Sequence, residues 1–522
     1  MRKDRRRVLR QAGSAMVALT LVRPAVAGGA DRDSDVDVHI ELRAARDQVA
    51  VRPGRPTEVW RYKGKLLKGE AGSLQPSDSY LGPVIRLRRG QRVRIELINE
   101  LPEPTIIHWH GLHVPDDMDG HPRHAIGPGQ RYVYAFRVLN RAGTYWYHAH
   151  PHGRTGHQVY HGLAGLLLVS DEEEAALRLP GGDQDMPLVI QDRTFDDDNQ
   201  FVYPAAGHGM GASMMSRGGG GRGMGSMMAS MMGVLGDRIL VNGRQVQALD
   251  VDRRARRLRL LNGSNTRTYK LAWNDGSPLT VIGTDGGLLA APAHRKFLVL
   301  GPAERADIWT DFANWKEGES PSLQSLPFEG GMTMGSGPLP DGSQFPVLQF
   351  RIVGSGPVEP ARLPDRLAQL PPVQASVAIN AEHPKVFDLT MGMMVWGING
   401  RPFEMLQATA QETVKLGTHE VWEFRNEGRN SMMGMVMAHS MHIHGLQFRV
   451  IGREIADRFA AAYRTVQPGL MDEGWKDTVL VMPGERVRVL VGFEDYPGLF
   501  LYHCHMLEHE DSGLMRNYLV KA

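Results

Sequence analysis

Cysteine is almost absent from this sequence, which has a single one, Cys504, among its 522 residues. That count excludes a disulfide framework within the chain. An excess of charge of one sign is absent as well, because 60 basic and 58 acidic residues leave a formal net charge of +2. Partners selected by bulk charge, such as nucleic acid, are therefore not expected. No stretch after residue 27 reaches the ~18 apolar residues of a membrane span, and we expect a monomer.

The N-terminus has the pattern of an export signal. Three arginines at residues 5–7 precede a modest apolar stretch at residues 12–22 and a small-x-small cleavage pattern at residues 25–27. This order favours a twin-arginine signal over residues 1–27 rather than a short basic tail before a buried helix. We therefore expect a periplasmic or secreted protein. In an exported chain, the lone Cys504 is either a spare buried thiol or a functional one.

Helical periodicity is scarce after the signal. Short alternating runs bounded by Gly, Pro and Asn recur instead, for example at residues 84–88, 93–98 and 487–491. Such alternation is typical of β-strands that bury one face, and 522 residues are enough for two to four domains with full cores. The sequence therefore predicts an all-β protein of the sandwich type.

An internal repeat relates the two ends of the chain. Residues 128–134 are echoed by residues 483–489, and fourteen residues after the glycine of each copy another glycine opens an aromatic-rich strand with two histidines. A weaker third copy at residues 301–308 has no histidine pair, so the middle domain looks like a spacer. We predict domain 1 at residues 35–172, domain 2 at residues 183–355 and domain 3 at residues 375–522.

Four His-x-His pairs lie at corresponding points of the two end domains. Residues i and i+2 of a strand project on the same face, so each pair directs two imidazoles at one spot. One pair would be weak evidence of a metal site, but four at matching places in a repeat are hard to attribute to chance. Eight imidazoles can hold a cluster of three coppers. The pairs are His108/His110, His148/His150, His442/His444 and His503/His505.

The same alternation turns Cys504 away from its two histidine neighbours and toward a second site. The candidate companions of Cys504 are His439, three residues before His442, and His509, four residues after His505. One thiolate and two imidazoles form the ligand set of a blue copper centre. A path of a few covalent bonds would then join a one-electron site to the cluster.

The patterns His439-x-x-His442-x-His444 and His503-Cys504-His505-x-x-x-His509 resemble those of the multicopper oxidases. The similarity covers nearly the whole mature chain and is closest to the bacterial copper-efflux oxidases and laccases. The resemblance implies three cupredoxin-like Greek-key β-sandwich domains and four copper ions, with a trinuclear cluster between domains 1 and 3. Its implied ligands are His439, Cys504 and His509 for one type 1 copper, His108 and His442 for one type 2 copper, and His110, His148, His150, His444, His503 and His505 for two type 3 coppers.

Two acidic residues match positions that deliver protons to oxygen in that family. Asp119 follows His110, and Glu510 follows His509. Carboxylates are suited to this task, because four protons must reach dioxygen along with four electrons. Without the resemblance, each would be interpreted as a solvated surface charge.

The electron donor is less well defined by the sequence. Leu514 stands where the family often has an axial methionine, five residues after the last histidine, and leucine cannot coordinate copper. This departure favours a high-potential type 1 site and phenolic or aromatic donors. Thioethers favour Cu(I), however, and Met435 and Met437 directly precede His439. A Met- and Gly-rich insertion at residues 207–233 is predicted to be a mobile loop.

The leading hypothesis is a laccase-like enzyme that oxidises phenolic or aromatic donors, cuprous ion or both, and reduces dioxygen to water. One alternative is a copper-sequestering resistance protein without significant turnover, although sequestration would not need paired histidines on two repeats. Another is the oxidase-like division protein, which keeps this fold without the copper ligands. Copper nitrite reductases also pair a blue copper with a second copper, but they are usually two-domain proteins.

Overall fold

The computed structural model describes residues 36–203, 232–245, 248–331, 338–354, 361–392, 395–428 and 436–522. Regular structure in these ranges is almost entirely β-strand, which confirms the all-β prediction. The alternating pattern explains why: the strand Val38–Val49 buries Val38, Ile40, Leu42 and Ala44 on one face. None of the helices within the described ranges has the length and apolarity required to cross a membrane.

The first sandwich contains two packed sheets and two short helices. Its strands, β1 to β9, are Val38–Val49, Thr57–Lys68, Leu74–Gln75, Val84–Arg88, Arg92–Asn99, Ile107–His110, Arg131–Arg137, Gly143–Ala149 and Ala164–Ser170. The helices α1 and α2 are Thr155–Tyr160 and Glu172–Ala176. One sheet has the order β2-β1-β5-β7 and the other β3-β4-β9-β8-β6. Their facing sides enclose a core that includes Leu42, Ile95 and Trp109.

The second sandwich supplies the middle of the chain. Its strands, β10 to β20, are Asp185–Arg193, Arg238–Val241, Ala248–Val251, Ala255–Asn262, Tyr269–Trp273, Leu279–Thr284, Gly287–Arg295, Leu298–Leu300, Arg305–Asp311, Ser322–Ser325 and Phe345–Ile352. One sheet has the order β11-β10-β13-β18-β15-β16 and the other β12-β20-β19-β14-β17. Leu260, Ile308 and Phe350 belong to the core between them.

The third sandwich repeats this plan at the end of the chain. Its strands, β21 to β30, are Lys385–Gly392, Val395–Ile398, Thr413–Lys415, Thr418–Arg425, His439–Ile443, Phe448–Ile455, Thr478–Val481, Glu485–Phe493, Gly498–Cys504 and Met515–Lys521. The helices α3 and α4 are Ala460–Arg464 and Leu507–Asp511. One sheet has the order β22-β21-β24-β28-β26 and the other β23-β30-β29-β25-β27. The domain boundaries given above stay predictions.

The strand register of the first and third sandwiches places the histidine pairs in the same way. In the first, β6 pairs antiparallel with β8 and brings His108 opposite His148. In the third, β25 pairs antiparallel with β29 and brings His442 opposite His503. Each sandwich therefore presents two histidine-bearing strands side by side, with the imidazoles on one face.

Candidate metal centre

Eight buried histidines meet between the first and third sandwiches. They lie on, or directly after, β6, β8, β25 and β29, and each is at most 1% exposed. His108 Nε2 lies 3.3 Å from His442 Nε2, and His444 Nε2 lies 3.0 Å from His503 Nε2. The structure thus brings together all four His-x-His pairs that the sequence singles out.

Further contacts between ring nitrogens divide the eight imidazoles into subsets. His148 Nε2 lies 3.3 Å from His505 Nε2, and His150 Nε2 lies 3.3 Å from His503 Nε2. The ligand atoms of His150, His444 and His503 all lie within 4.8 Å of one another. Together with the contact between His108 and His442, these groupings can hold more than one metal ion.

Backbone carbonyls fix the orientation of the imidazoles that face each other. His108 Nδ1 donates to the carbonyl oxygen of Asp119 at 2.7 Å, and His442 Nδ1 donates to that of Asp477 at 2.7 Å. Because Nδ1 carries the proton in each ring, Nε2 has a free lone pair directed at the centre. Outer hydrogen bonds of this kind orient histidine ligands in metal sites.

His110 is oriented the opposite way. Its Nε2 lies 3.1 Å from Asp477 Oδ1 and 3.1 Å from Thr478 Oγ1. Its Nδ1 is buried without a hydrogen-bond partner among the described residues. A buried polar atom without a partner is costly, so a metal ion is a suitable partner for this nitrogen.

Burial also keeps the rings in the form that binds metals. It lowers the pKa of His148 to about 3 and that of His150 to about 4. It lowers the pKa of His108, His110, His442, His444 and His505 well below the usual range. Neutral imidazole, not imidazolium, offers a lone pair to a metal.

Cys504 belongs to a second centre, on the other side of β29. Its Sγ lies 3.6 Å from His439 Nδ1 and 3.7 Å from His509 Nδ1, and these two nitrogens are 3.2 Å apart. The three atoms therefore form a compact triangle, as the strand alternation predicts. Burial raises the pKa of the Cys504 thiol to about 12, so the thiolate needs a bound metal ion to displace its proton.

Two neighbours of this centre could not be identified from the sequence. The Trp396 ring packs against both imidazoles, with its centroid 4.6 Å from that of His509 and 5.0 Å from that of His439. His509 Nε2 donates to the backbone carbonyl of Met232 at 3.2 Å. Both contacts join residues far apart in the chain, and neither has a sequence motif that would point to it.

Leu514 is held between two residues of the triangle. Its backbone N–H donates to the His509 carbonyl at 2.9 Å, and its carbonyl accepts from the Cys504 N–H at 3.0 Å. The side chain is fully buried. Met515 pairs with His503 in the strand register, so it shares the face of His503 and not that of Cys504. Among these neighbours in sequence, Leu514 is therefore the residue placed to approach the triangle.

The methionine predictions lie largely outside the described residues. This is the case for Met435 and for residues 207–231 of the Met-rich insertion. Met437 is buried in the core of the third sandwich. The last two residues of the insertion, Met232 and Gly233, are buried, and the carbonyl of Met232 accepts from His509. That the insertion is a mobile loop stays a prediction.

The two predicted acids contact different histidines of the cluster. Asp119 is buried, and its Oδ2 accepts a hydrogen bond from His444 Nδ1 at 2.7 Å. Burial raises the pKa of Asp119 well above its usual range. Glu510 Oε2 lies 3.2 Å from His503 Nδ1, and its Oε1 lies 3.5 Å from His150 Nε2. Burial alone would raise the pKa of Glu510, but the two rings outweigh it and lower that pKa.

The second sandwich contributes to the cluster through a buried ion pair. Arg305, at the start of β18, donates to both carboxylate oxygens of Asp477, at 2.6 and 2.5 Å, and both side chains are 0% exposed. Asp477 in turn contacts His110. The middle domain therefore reaches a cluster histidine through Asp477, while its role as a spacer stays a prediction. Little in the sequence points to the role of Asp477, because it is one of 58 acidic residues and has no motif around it.

The ion pair predicts a stability effect. Asp477→Asn leaves the Arg305 charge buried without its main partner, and breaking a buried pair costs about 3 kcal/mol or more. A lower apparent free energy of unfolding in chemical denaturation would show this effect. Asp250→Asn is the matched control, because Asp250 pairs with Arg351 at the surface, where each side chain is at least 50% exposed. Asp250→Asn should lower the free energy of unfolding by at most about 1 kcal/mol. Equal effects of the two variants would contradict the prediction.

Comparison with known proteins agrees with this arrangement. Two family models, both described as multicopper oxidase, match residues 58–174 and 378–522. The chain is 32% identical to a laccase of Bacillus subtilis (strain 168), over 88% of this chain and 90% of that protein. It is also 31% identical to the cell division protein FtsP of Escherichia coli (strain K12), over 100% and 99% of the two chains.

The fold is shared with solved structures. The McoA multicopper oxidase from the hyperthermophile Aquifex aeolicus superposes with a TM-score of 0.74, at 34% identity, over 93% of this chain and 96% of that one. This similarity confirms the fold of three cupredoxin-like domains that the resemblance implied. The matches at both ends of the chain, and the relatives that span nearly all of it, show that this protein belongs to the multicopper oxidase family of copper-dependent oxidoreductases.

Proposed function

We propose that this protein reduces dioxygen to water with electrons taken one at a time from a donor at the Cys504 site. The observation that carries the proposal is the position of Cys504 between His503 and His505 on one strand. Its thiol joins one ligand triangle while its neighbours join the histidine cluster. When bound, the coppers supply the one-electron steps at the first site and the four-electron reduction of dioxygen at the second.

The donor atoms fit copper in both places. Thiolate with imidazole suits the type 1 site, and imidazoles alone suit the cluster. We assign the ligands in the pattern that the family resemblance implies, with four coppers in total. Type 1 takes His439, Cys504 and His509; type 2 takes His108 and His442; the type 3 pair takes His110, His148, His150, His444, His503 and His505.

The surrounding residues have distinct tasks in this proposal. Asp119 and Glu510 hold and release protons for oxygen, because their carboxylates contact the outer nitrogens of His444 and His503. Asp477 keeps His110 turned so that its Nδ1 faces the cluster. The carbonyl of Met232 and the Trp396 ring hold His509 in place.

The donors proposed are phenolic or aromatic compounds, cuprous ion, or both. A buried leucine at residue 514 favours a high potential and therefore donors that are hard to oxidise. The name of the laccase relative agrees with such donors. Cuprous ion is supported by the methionines before His439, namely Met435 and Met437, and by the Met-rich insertion.

Oxygen uptake by the copper-loaded protein tests the proposal. We expect uptake with a phenol, with Cu(I) or with both, and about four coppers per chain by metal analysis. Binding of copper without any uptake would favour the sequestering protein instead. A chain that neither binds copper nor consumes oxygen would favour a role like that of the cell division relative.

Leu514→Met tests the identity of the axial position. With copper bound, methionine would add a donor where leucine supplies none, and an added ligand stabilises Cu(II) more than Cu(I). The type 1 potential should therefore fall without loss of copper binding. Redox titration of the blue absorbance measures the change. Met515→Leu is the matched control, because that side chain lies on the face of His503. An unchanged potential in Leu514→Met would show that residue 514 is not axial.

Deleting residues 210–231 tests the role of the insertion. The deletion keeps Met232, whose carbonyl accepts from His509. If the insertion delivers copper, oxidation of Cu(I) should fall more than oxidation of a phenol in steady-state assays. A matched variant keeps the length and replaces methionines 210, 214, 215, 224, 227, 228 and 231 by leucine. Equal losses for the two donors would make the segment a spacer or a lid.

We also propose that residues 1–27 direct export by the twin-arginine route. These residues lie outside the described ranges, so the proposal depends on the arginines, the apolar stretch and the cleavage pattern alone. Replacing the arginines at residues 5–7 by lysine should retain the protein in the cytoplasm, as cell fractionation would show. Unchanged export would contradict the proposal.

A further inference from the structure

A cleft of about 900 Å³ lies between the first and third sandwiches, lined by residues that have no part in the copper sites. Arg137 and Arg141 line it from the first sandwich, Arg449 and Trp475 from the third, and residues 371–374 from the connection before β21. This volume is within the range of small-molecule sites in proteins. It is far larger than a single inorganic ion requires.

Arg449 is a cation without a counter-ion. It is half-buried, and no carboxylate lies within ion-pair distance of it among the described residues. Its Nη1 reaches only the carbonyl of Pro371, at 3.5 Å, and its Nε is buried without a partner. Its guanidinium carbon lies 5.4 Å from the centre of the Trp475 ring. A bound anion is a suitable partner for this guanidinium, because its Nε is buried and has no hydrogen-bond partner among the described residues.

A second guanidinium lines the same cleft. Arg141 Nη1 is buried and forms no hydrogen bond to any described residue. Arg141 is close enough to lower the pKa of Arg449 further, after the larger effect of burial. Two guanidinium groups of the lining are thus near enough to repel each other.

The acids at the cleft already have partners. Asp495 Oδ2 accepts from His113 Nδ1 at 2.5 Å, and Glu494 Oε1 lies 3.2 Å from His419 Nε2. The carboxylate that Arg141 Nη2 contacts, at 3.0 Å, is Glu173, which is outside the lining. The cleft therefore keeps an excess of positive charge that its own carboxylates do not neutralise.

Part of the lining is apolar and open to solvent. Val373 and Val377 are 39% and 50% exposed, beside Pro371 and Pro372. Exposed apolar side chains beside a guanidinium without a counter-ion suit a molecule with an apolar body and an anionic end. We propose that the cleft binds an aromatic carboxylate, with the carboxylate between Arg449 and Arg141 and the ring against the valines and prolines.

Calorimetry with 2-naphthoate on the copper-loaded, full-length protein tests this site. We expect saturable binding of one molecule per chain, and weaker binding by about tenfold or more in Arg449→Gln, because a charge-assisted hydrogen bond is lost. Arg449→Lys should recover part of the affinity. The neutral 2-naphthamide should bind at least about tenfold more weakly than 2-naphthoate. Arg351→Gln, at an exposed ion pair in the second sandwich, should bind as the unmodified protein does.

A second variant keeps the test valid if Arg449→Gln does not fold. Val373→Asp adds a carboxylate at an exposed position of the apolar wall and should weaken 2-naphthoate binding, whereas Val353→Asp, 37% exposed elsewhere, should not. Three results would overturn the proposal: no saturation by 2-naphthoate, equal affinity for 2-naphthamide, or equal affinity in Val373→Asp and Val353→Asp. Sulfate binding as tightly as 2-naphthoate would also overturn it, since the apolar wall would then contribute nothing.

Discussion

Cys504→Ser is expected to abolish steady-state oxidation of every donor. The hydroxyl has nearly the shape of the thiol and fits the fully buried position, but it cannot supply the soft ligand that completes the triangle with His439 and His509. The loss should exceed the roughly 10–100-fold that removal of an outer-sphere partner costs. The intense blue absorbance should disappear. Metal analysis should find about three coppers instead of four.

Which coppers Cys504→Ser loses tests whether the chain has two separate copper sites. His503 and His505 project from the opposite face of β29, so the cluster should keep its coppers and its own spectroscopic signature. Leu514→Met is the matched control, because it changes the same centre and keeps the thiolate. If Cys504→Ser loses all four coppers, the two sites are not independent. If it keeps phenol oxidation, electrons do not pass through residue 504.

Strand alternation and the internal repeat predicted most of the candidate site. They require only that residues i and i+2 share a face, which holds in any strand, so the pairs at His148/His150 and His503/His505 could be placed without a fold. The opposite orientation of Cys504 follows from the same rule. No tertiary information was needed for these predictions.

Two of the outer contacts could not be predicted, because each joins distant parts of the chain. Arg305 reaches Asp477 across 172 residues, and the carbonyl of Met232 lies 277 residues from His509. A carbonyl has no side-chain identity that a sequence could reveal. The inverted orientation of His110 has the same origin, since it depends on where Asp477 is held by the second sandwich.

Overall identity does not decide between an oxidase and a cell division protein. The chain is almost equally similar to a laccase and to a cell division protein. The two ligand sets separate these possibilities better, because eight buried imidazoles and a buried Cys–His–His triangle are costly unless they bind something. For this reason, copper stoichiometry and oxygen uptake carry more weight than the degree of similarity.

Glu510→Gln is expected to slow turnover by about a hundredfold while both copper sites stay intact. Glutamine keeps the shape and can still contact His503 Nδ1, but it cannot take up or release a proton. The blue absorbance and the copper content should therefore be unchanged. Proton delivery affects the reduction of dioxygen and not the oxidation of the donor. The turnover number should therefore fall by the same factor for a phenol and for Cu(I).

Glu508→Gln is the matched control for this prediction. Glu508 lies on the same helix and is equally buried, but it accepts hydrogen bonds from Asn265, Thr266 and Tyr203 and contacts none of the cluster histidines. Glutamine keeps the shape of Glu508, and the Thr266 and Tyr203 hydroxyls can turn to accept from its amide N–H, so the substitution should be tolerated. Normal turnover in Glu510→Gln would remove this residue from proton delivery. An equal loss in both variants would mean that helix α4 has a structural effect on the cluster and that its acids do not act as proton donors.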